Sequence, residues 1–110
     1  MGTDTVFNRQ SRPVNPAPVE VVLTGPTPLG YQQITSLASA TSLTVPAGAV
    51  SAIIYVETAG VRWRDDGTAP TATVGMLLSA GQAFQYAANL AAIQFIAQSG
   101  SPVVNVSYYK

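Results

Sequence analysis

The chain has 110 residues, which is enough for one domain with a single hydrophobic core and too few for two. Hydrophobic residues make up 47% of it and charged residues 9%, far below the about 25% typical of soluble domains. Five basic and five acidic residues give a net charge of zero, which argues against nucleic-acid binding because no basic stripe could neutralise phosphates. The low charge has two explanations: a surface of neutral polar residues, or a surface partly buried against partner proteins, where charge is costly.

The first 28 residues differ from the rest of the chain and contain five of its eight prolines. Proline fixes φ and biases the preceding residue toward extended conformations, so residues 1–28 predict an extended N-terminal arm, with a short strand at residues 20–23. Two interpretations stay open: a loose terminus, or an arm that orders along a neighbouring subunit. The second makes Arg9, Arg12, Val14 and Val19 candidate partner-binding residues.

Residues 29–110 show the period-two pattern of half-buried strands, interrupted by turn residues. In the first of these strands the alternation predicts Tyr31 and Leu37 on one face and Ile34 on the other. Turns are expected at residues 46–48, 65–67, 80–81 and 100–102, where Pro, Asp and Gly concentrate. Residues 87–92 are helix-prone, but they are too few to predict a helix.

Eight strands are therefore predicted, at residues 31–37, 41–45, 50–57, 61–64, 76–78, 84–86, 91–97 and 103–109. Short strands with regularly spaced turns are typical of sandwiches and small barrels. The predicted fold is an all-β, jelly-roll-like sandwich or barrel of about eight strands, preceded by the extended proline-rich arm.

The residue types missing from the chain exclude several kinds of chemistry. Histidine and cysteine are absent, which removes Ser-His-Asp and Cys-His catalysis and zinc sites built on those residues. The single lysine is the C-terminal Lys110, a poor candidate for a buried catalytic amine. The sequence thus predicts a protein that is not an enzyme and has no cofactor. It also contains no apolar run long enough for a signal peptide or a membrane span, so we expect synthesis in the cytoplasm and no membrane partner.

Trp63, between Arg62 and Arg64, is the most distinctive local cluster. In one interpretation Trp63 is the main core aromatic, and the two arginines pair with carboxylates on the outer face. In the other, the tryptophan ring is presented to a sugar beside the guanidinium groups. Asp65 and Asp66 are most simply read as turn residues, with a calcium site as the alternative.

The two tyrosines near the C-terminus follow one another along the last predicted strand. Tyr108 and Tyr109 must therefore lie on opposite faces, so one of them is near the surface, where a tyrosine suits a protein interface. Arg62, Arg64 and Tyr109 complete the set of candidate partner-binding residues.

Four segments outside the arm carry a resemblance to a known group of proteins, and the second of them is the most specific. They are Leu43-Thr44-Val45-Pro46-Ala47-Gly48-Ala49, Val61-Arg62-Trp63-Arg64-Asp65-Asp66-Gly67-Thr68-Ala69-Pro70-Thr71-Ala72-Thr73-Val74-Gly75-Met76, Phe95-Ile96 and Val104-Asn105-Val106-Ser107-Tyr108. Through these segments, most of the chain outside the arm resembles small structural proteins encoded among the virion genes of tailed bacteriophages and prophages.

The resemblance implies a virion structural protein of jelly-roll or related sandwich type, homotrimeric, with no catalytic residues. With the low charge and the arm, it leads us to expect a capsid decoration or cementing protein that binds the major capsid protein of the assembled head. The alternative is a tail, neck or fibre module that contacts host glycans through Trp63 and exposed tyrosines.

Overall fold

The computed structural model describes residues 25–110, which form an all-β domain of eight strands. Within this range, no helix is long and apolar enough to span a membrane. The predicted fold class is confirmed, and the eight strands fall close to the predicted positions. Their bounds are β1 Pro28–Ile34, β2 Thr41–Ser42, β3 Ser51–Glu57, β4 Val61–Arg64, β5 Met76–Leu78, β6 Ala83–Tyr86, β7 Gln94–Ala97 and β8 Val103–Tyr109.

The strands form two antiparallel sheets of four strands each. Sheet I has the order β1-β8-β3-β6, and sheet II has the order β2-β7-β4-β5. The pairs β1 with β8, β2 with β7, β3 with β6 and β4 with β5 are those of one long antiparallel ribbon folded over on itself. This strand order is that of a jelly roll.

The core lies between the two sheets and is built from alternate residues of the strands. In β3 the burial alternates strictly, with Ile54 and Val56 fully buried between exposed neighbours. The same alternation in β8 buries Val104 and Val106. Sheet II contributes its own inward side chains, among them the fully buried Phe95. Because the side-chain period of a strand is two, a register slip of one residue would expose this whole set.

Two of the predicted turns show why their residue types were informative. After Pro46 the chain reverses through a hydrogen bond from the Ala49 amide to the Pro46 carbonyl (3.2 Å), with Gly48 at φ 86°. The turn at residues 65–67 ends in Gly67 at φ 88°. Glycine adopts such positive φ values without steric cost, so both turns were correctly predicted.

The first strand has the predicted length of seven residues, but it lies three residues earlier in the chain, at Pro28–Ile34. It ends at Ile34 instead of Leu37, and the chain then turns before Leu37 enters the core. The prediction that Tyr31 and Leu37 share a face is therefore wrong: Tyr31 is exposed on the outer face, whereas Leu37 is buried. Alternation can be extrapolated only as far as the strand itself continues.

Two other strands are shorter than predicted. The strand expected at residues 41–45 is limited to Thr41–Ser42, and the one expected at residues 91–97 begins at Gln94. Before Gln94 the chain is a turn organised by Asn89, whose side chain accepts the Ala91 amide (3.2 Å) and whose carbonyl accepts the Ala92 amide (3.0 Å). Local side-chain bonds of this kind compete with strand pairing.

Most of the predicted arm lies outside the described residues, including the predicted strand at residues 20–23 and the candidate residues Arg9, Arg12, Val14 and Val19. The ladder of sheet I already begins at Thr27, which exchanges backbone hydrogen bonds with Lys110 (3.1 and 2.9 Å). The last two residues assigned to the arm thus extend β1 along β8.

A polar contact links the inner face of sheet I to the chain that follows β2. Gln32 accepts hydrogen bonds from the Tyr108 hydroxyl (2.6 Å) and from the Thr44 amide (3.0 Å) through the same side-chain oxygen. Burial raises the pKa of Tyr108 to about 12. The tyrosine therefore stays neutral, and its hydroxyl donates a hydrogen bond to the half-buried amide of Gln32.

The connection from β3 to β4 contains a residue under backbone strain. Thr58 has a φ of 77°, and the amide of Ala59 bonds back to the Glu57 carbonyl (2.9 Å). This is a γ-turn of the positive-φ kind, which is rare, and a β-branched residue at its centre is strained. The turn carries the chain from sheet I to sheet II, so its conformation is imposed by the sandwich.

Replacing Thr58 by glycine should stabilise the protein, because glycine adopts this φ without the steric cost that threonine bears. We expect the free energy of unfolding to rise by about 1 kcal/mol, part of the strain being offset by the extra freedom of the unfolded chain. Urea denaturation of Thr58→Gly beside the exposed control Thr68→Gly measures this. An unchanged or lower stability of Thr58→Gly would contradict the strain.

Candidate functional site

Trp63 lies at the edge of the core, where β4 of sheet II faces β6 of sheet I. Its ring stacks on Phe84, with centroids 5.3 Å apart and an angle of 13° between the planes. Tyr86 meets the tryptophan edge-on at 6.1 Å. The side chain is half-buried and packs against the core. Trp63 therefore combines features of both sequence interpretations: it packs with core aromatics, yet part of it remains accessible.

An open groove of about 430 Å³ lies beside the accessible part of Trp63. It runs between the end of β4 and the long loop that leads into β5. Its apolar wall includes two exposed hydrophobic side chains, Val74 and Met76. We call it the Trp63 groove, and it is lined by Trp63, Arg64, Asp65, Asp66, Val74, Gly75 and Met76.

The two carboxylates at the end of the groove have different partners. Asp66 forms a two-pronged ion pair with Arg64 (3.0 and 2.5 Å), and this hydrogen bonding lowers the pKa of Asp66. Asp65 accepts a hydrogen bond from the Tyr86 hydroxyl (2.6 Å). Burial raises the pKa of Tyr86, and the bond to Asp65 raises it further, so the hydroxyl remains a donor.

The calcium alternative for Asp65 and Asp66 needs several oxygen ligands that converge on one point. The two carboxylates are instead engaged with Tyr86 and Arg64. Within residues 25–110, no group of three or more acidic, histidine or cysteine side chains is placed to hold a metal ion. The pair functions structurally, by tying the turn after β4 to both sheets.

Arg62 was expected to pair with a carboxylate, and this expectation is wrong. Its guanidinium donates to the backbone carbonyls of Ala72 (3.0 Å) and Gly75 (2.9 Å). These bonds hold the loop of residues 65–75 against sheet II. The predicted pairing of Arg64 is confirmed, with Asp66 as its partner.

Gly75 allows the loop to approach β4 closely. It has a φ of 142°, and a Cβ atom there would lie 3.1 Å from the Trp63 carbonyl oxygen and 3.2 Å from Cβ atoms of Arg62 and Pro70. Backbone and short side chains surround the position, so the neighbours have little room to move. The shape of the groove depends on glycine at this point.

A second accessible surface lies on the other side of the sandwich, on the outer face of sheet I. Three large hydrophobic side chains are exposed there: Tyr31 by 64%, Ile53 by 42% and Tyr55 by 41%. They lie on the two strands that flank β8, and Tyr31 and Ile53 both pair with Ser107 of β8 in the register of the sheet. Tyr109 projects from the same face of β8. We call the surface formed by Tyr31, Ile53, Tyr55 and Tyr109 the tyrosine face.

The tyrosine face is held by a network of polar groups, which includes one carboxylate. Asn105, at its centre, accepts hydrogen bonds from the Tyr31 hydroxyl and the Gln33 amide, and donates to Glu57 (2.5 Å). The Ser107 hydroxyl donates to the Tyr109 hydroxyl (3.1 Å). These bonds orient the rings of Tyr31 and Tyr109 in advance, which lowers the entropy cost of burying them against a partner.

The structure separates the candidate residues instead of gathering them into one site. Tyr109 belongs to the tyrosine face, whereas Arg62 and Arg64 lie on sheet II and are engaged with their own loop. As predicted, one of the last two tyrosines is buried, Tyr108, and the other is partly accessible. Sequence reasoning missed Ile53 and Tyr55 as surface residues, although their alternation with the buried Ile54 could have identified them.

Substituting Gly75 by alanine should destabilise the protein by about 1–3 kcal/mol, since the new methyl group meets backbone and adds strain at a positive φ. Gly67→Ala is the matched control, because Gly67 also has a positive φ but nothing lies within 4 Å of its Cβ position. Urea denaturation should show a larger loss for Gly75→Ala than for Gly67→Ala. Equal losses would mean that the close approach of the loop has no energetic role.

Comparisons with known proteins were made at three levels. No family model, no curated protein and no solved structure matches this chain. The function is therefore argued from the tyrosine face, the Trp63 groove and the residues that form them.

Proposed function

We propose that the protein is a structural component of a bacteriophage virion, and that it decorates or cements the assembled head by binding the major capsid protein. The observation that carries this proposal is the tyrosine face. It exposes Tyr31, Ile53 and Tyr55 on the broad side of a rigid sheet. A protein that functions alone in water has little reason to present such a surface.

The composition of the tyrosine face supports a protein partner. Protein interfaces are enriched in tyrosine and depleted in charge at their centres. The neighbours of the exposed rings are neutral, such as Gln33, Asn105 and Ser107, and Glu57 lies at the end of β3. The low charge of the whole chain agrees with burial of this surface in an assembly.

The virion assignment rests on the resemblance of residues 61–76 to phage structural proteins, with the jelly-roll strand order as further support. Viral capsid proteins and lectins are among the proteins that use this fold. A fold alone does not determine function. For this reason the proposal combines the fold with the tyrosine face and with the resemblance, and its location is the virion after synthesis in the host cytoplasm.

A structural role also agrees with the chemistry of the chain, and we propose that it is not an enzyme. The sequence has no histidine or cysteine to act as base or nucleophile. Asp65, Asp66 and Arg64 are engaged in bonds that stabilise the loop.

Self-association, as the trimer that the resemblance implies, would bring several tyrosine faces to one assembly and raise the avidity of binding.

Tyr55→Lys should weaken binding to phage heads at least about tenfold, because a charge at the centre of a buried interface leaves an unpaired, desolvated ammonium group. Leu77→Lys is the matched control, since Leu77 is similarly exposed at the centre of a strand on the other sheet. The measurement is co-sedimentation with heads that lack the protein, from the phage that encodes it.

Two results would contradict the proposal. Failure of the unmodified chain to bind heads would reject the decoration role, and equal binding by Tyr55→Lys and the unmodified chain would reject the tyrosine face. Light scattering of both variants would show whether a loss of binding follows from a change in oligomeric state.

The alternative function is a tail, neck or fibre module that contacts host glycans. The observation in its favour is that Trp63 borders an open groove beside Arg64 and Asp66, an aromatic surface with polar groups close by. Under this alternative, glycan-array binding should be lost in Trp63→Leu while the circular dichroism spectrum of the fold is retained. If no glycan on the array is bound by the unmodified protein, the alternative function is rejected.

A further inference from the structure

We propose that the Trp63 groove binds the proline-rich segment at residues 12–18 of the same molecule. The groove is open, with a volume of about 430 Å³, and it lies apart from the tyrosine face. The segment reads Arg-Pro-Val-Asn-Pro-Ala-Pro. Four observations support the match: the chemistry of the groove wall, its charge, the place where the described chain begins, and the length of the intervening chain.

The wall of the groove has the chemistry that proline-rich segments bind. Grooves lined by aromatic side chains accept prolines spaced as Pro-x-x-Pro, because the extended polyproline helix is already ordered and has a rigid apolar side. Residues 13–16 have this spacing. Trp63 provides the aromatic ring, held in place by its stack on Phe84, and Val74 and Met76 provide the flanking apolar surface.

The charges of groove and segment are complementary. The groove wall contains the carboxylates of Asp65 and Asp66 and the guanidinium of Arg64, a net charge of −1 from the three residues. The segment begins with Arg12, and Arg9 precedes it by three positions. A basic residue next to the prolines can therefore meet the carboxylate end of the groove, which would fix the direction in which the segment lies.

The described chain begins at the same end of the sandwich as the groove. Thr27 pairs with Lys110, and the next residues of the ladder place Ser51 and Tyr86 at this end of sheet I. The Tyr86 hydroxyl in turn bonds to Asp65, a residue of the groove wall. Thr27, near the start of the described chain, therefore lies at the end of the sandwich that carries the groove.

The length of the intervening chain is sufficient for binding within one molecule. β1 and β6 are the two edges of sheet I, so crossing the sheet takes three strand spacings, about 14 Å. The step between the sheets, about 10 Å, is perpendicular to this direction, so the direct separation is about 17 Å. The seven residue steps from Pro18 to Gly25 span roughly 22 Å when extended. No second copy of the chain is needed to fill the groove.

The inference is independent of the proposed function. The Trp63 groove belongs to the side of the sandwich formed by β4 and β5, whereas the tyrosine face is the outer face of sheet I. A segment bound in the groove would leave the tyrosine face free for a partner. It would give the proline-rich part of the arm a place on its own domain, which differs from both interpretations left open by the sequence, a loose terminus and an arm along a neighbouring subunit.

The fluorescence of Trp63 provides a direct test, because it is the only tryptophan in the chain. The test variant carries Pro13→Gly, Pro16→Gly and Pro18→Gly, and the control carries Thr3→Gly, Thr5→Gly and Asn8→Gly. In the full chain, the acrylamide quenching constant should be about twofold higher for the test variant, since loss of the bound segment uncovers the ring. The control should match the unmodified chain, and the constant should not vary with protein concentration.

A second set of variants shows where the prolines act. Val74→Lys places a positive charge in the groove, at an exposed position where the fold tolerates it, and should displace the segment. The proline substitutions should then have no further effect on quenching. The inference is overturned by equal constants for the unmodified chain and the proline variant, by a proline effect that persists beside Val74→Lys, or by a constant that depends on concentration. Head binding by Tyr55→Lys is a separate readout, so the failure of either proposal can be recognised.

Discussion

The packing of alternate side chains from β3 and β8 between the two sheets is the constraint on which the rest of the structure depends. These central strands of sheet I bury Ile54, Val56, Val104 and Val106 completely, and each turns its intervening residues outward. Because a strand has two faces, fixing the inner set also fixes the outer one. The tyrosine face is therefore a direct consequence of the core register: Ile53 and Tyr55 are exposed because Ile54 is buried.

The outer side of sheet II differs from that of sheet I because a loop packs on it. Its outer side is covered in part by the loop of residues 65–75, which Arg62 holds through backbone carbonyls and which Gly75 allows to lie close to β4. The loop creates the Trp63 groove without contributing a strand to the sandwich. The result is a domain with two separate surfaces, one broad and neutral and one narrow with an acidic end. Two different segments or partners can occupy them without competing.

The architecture could be predicted from the sequence because turn residues and alternation report on local backbone geometry. Pro46, Gly48 and Gly67 marked turns correctly, and the β3 alternation located a central strand. The prediction for Leu37 was wrong because the end of a strand depends on which neighbours pair with it, and pairing is set by the whole sheet. The partners of Arg62 could not be predicted for a related reason: they are backbone carbonyls of the loop after β4, and every residue type carries a backbone carbonyl.

We propose that this domain acts by burying its tyrosine face against a virion protein. Hydroxyl-radical footprinting measures the accessibility of individual side chains and can compare the free protein with the protein bound to purified phage heads. We expect oxidation of Tyr31 and Tyr55 to fall on binding, while oxidation of Leu77 on the other sheet stays unchanged. Equal oxidation of Tyr31 and Tyr55 in the free and head-bound protein would contradict it.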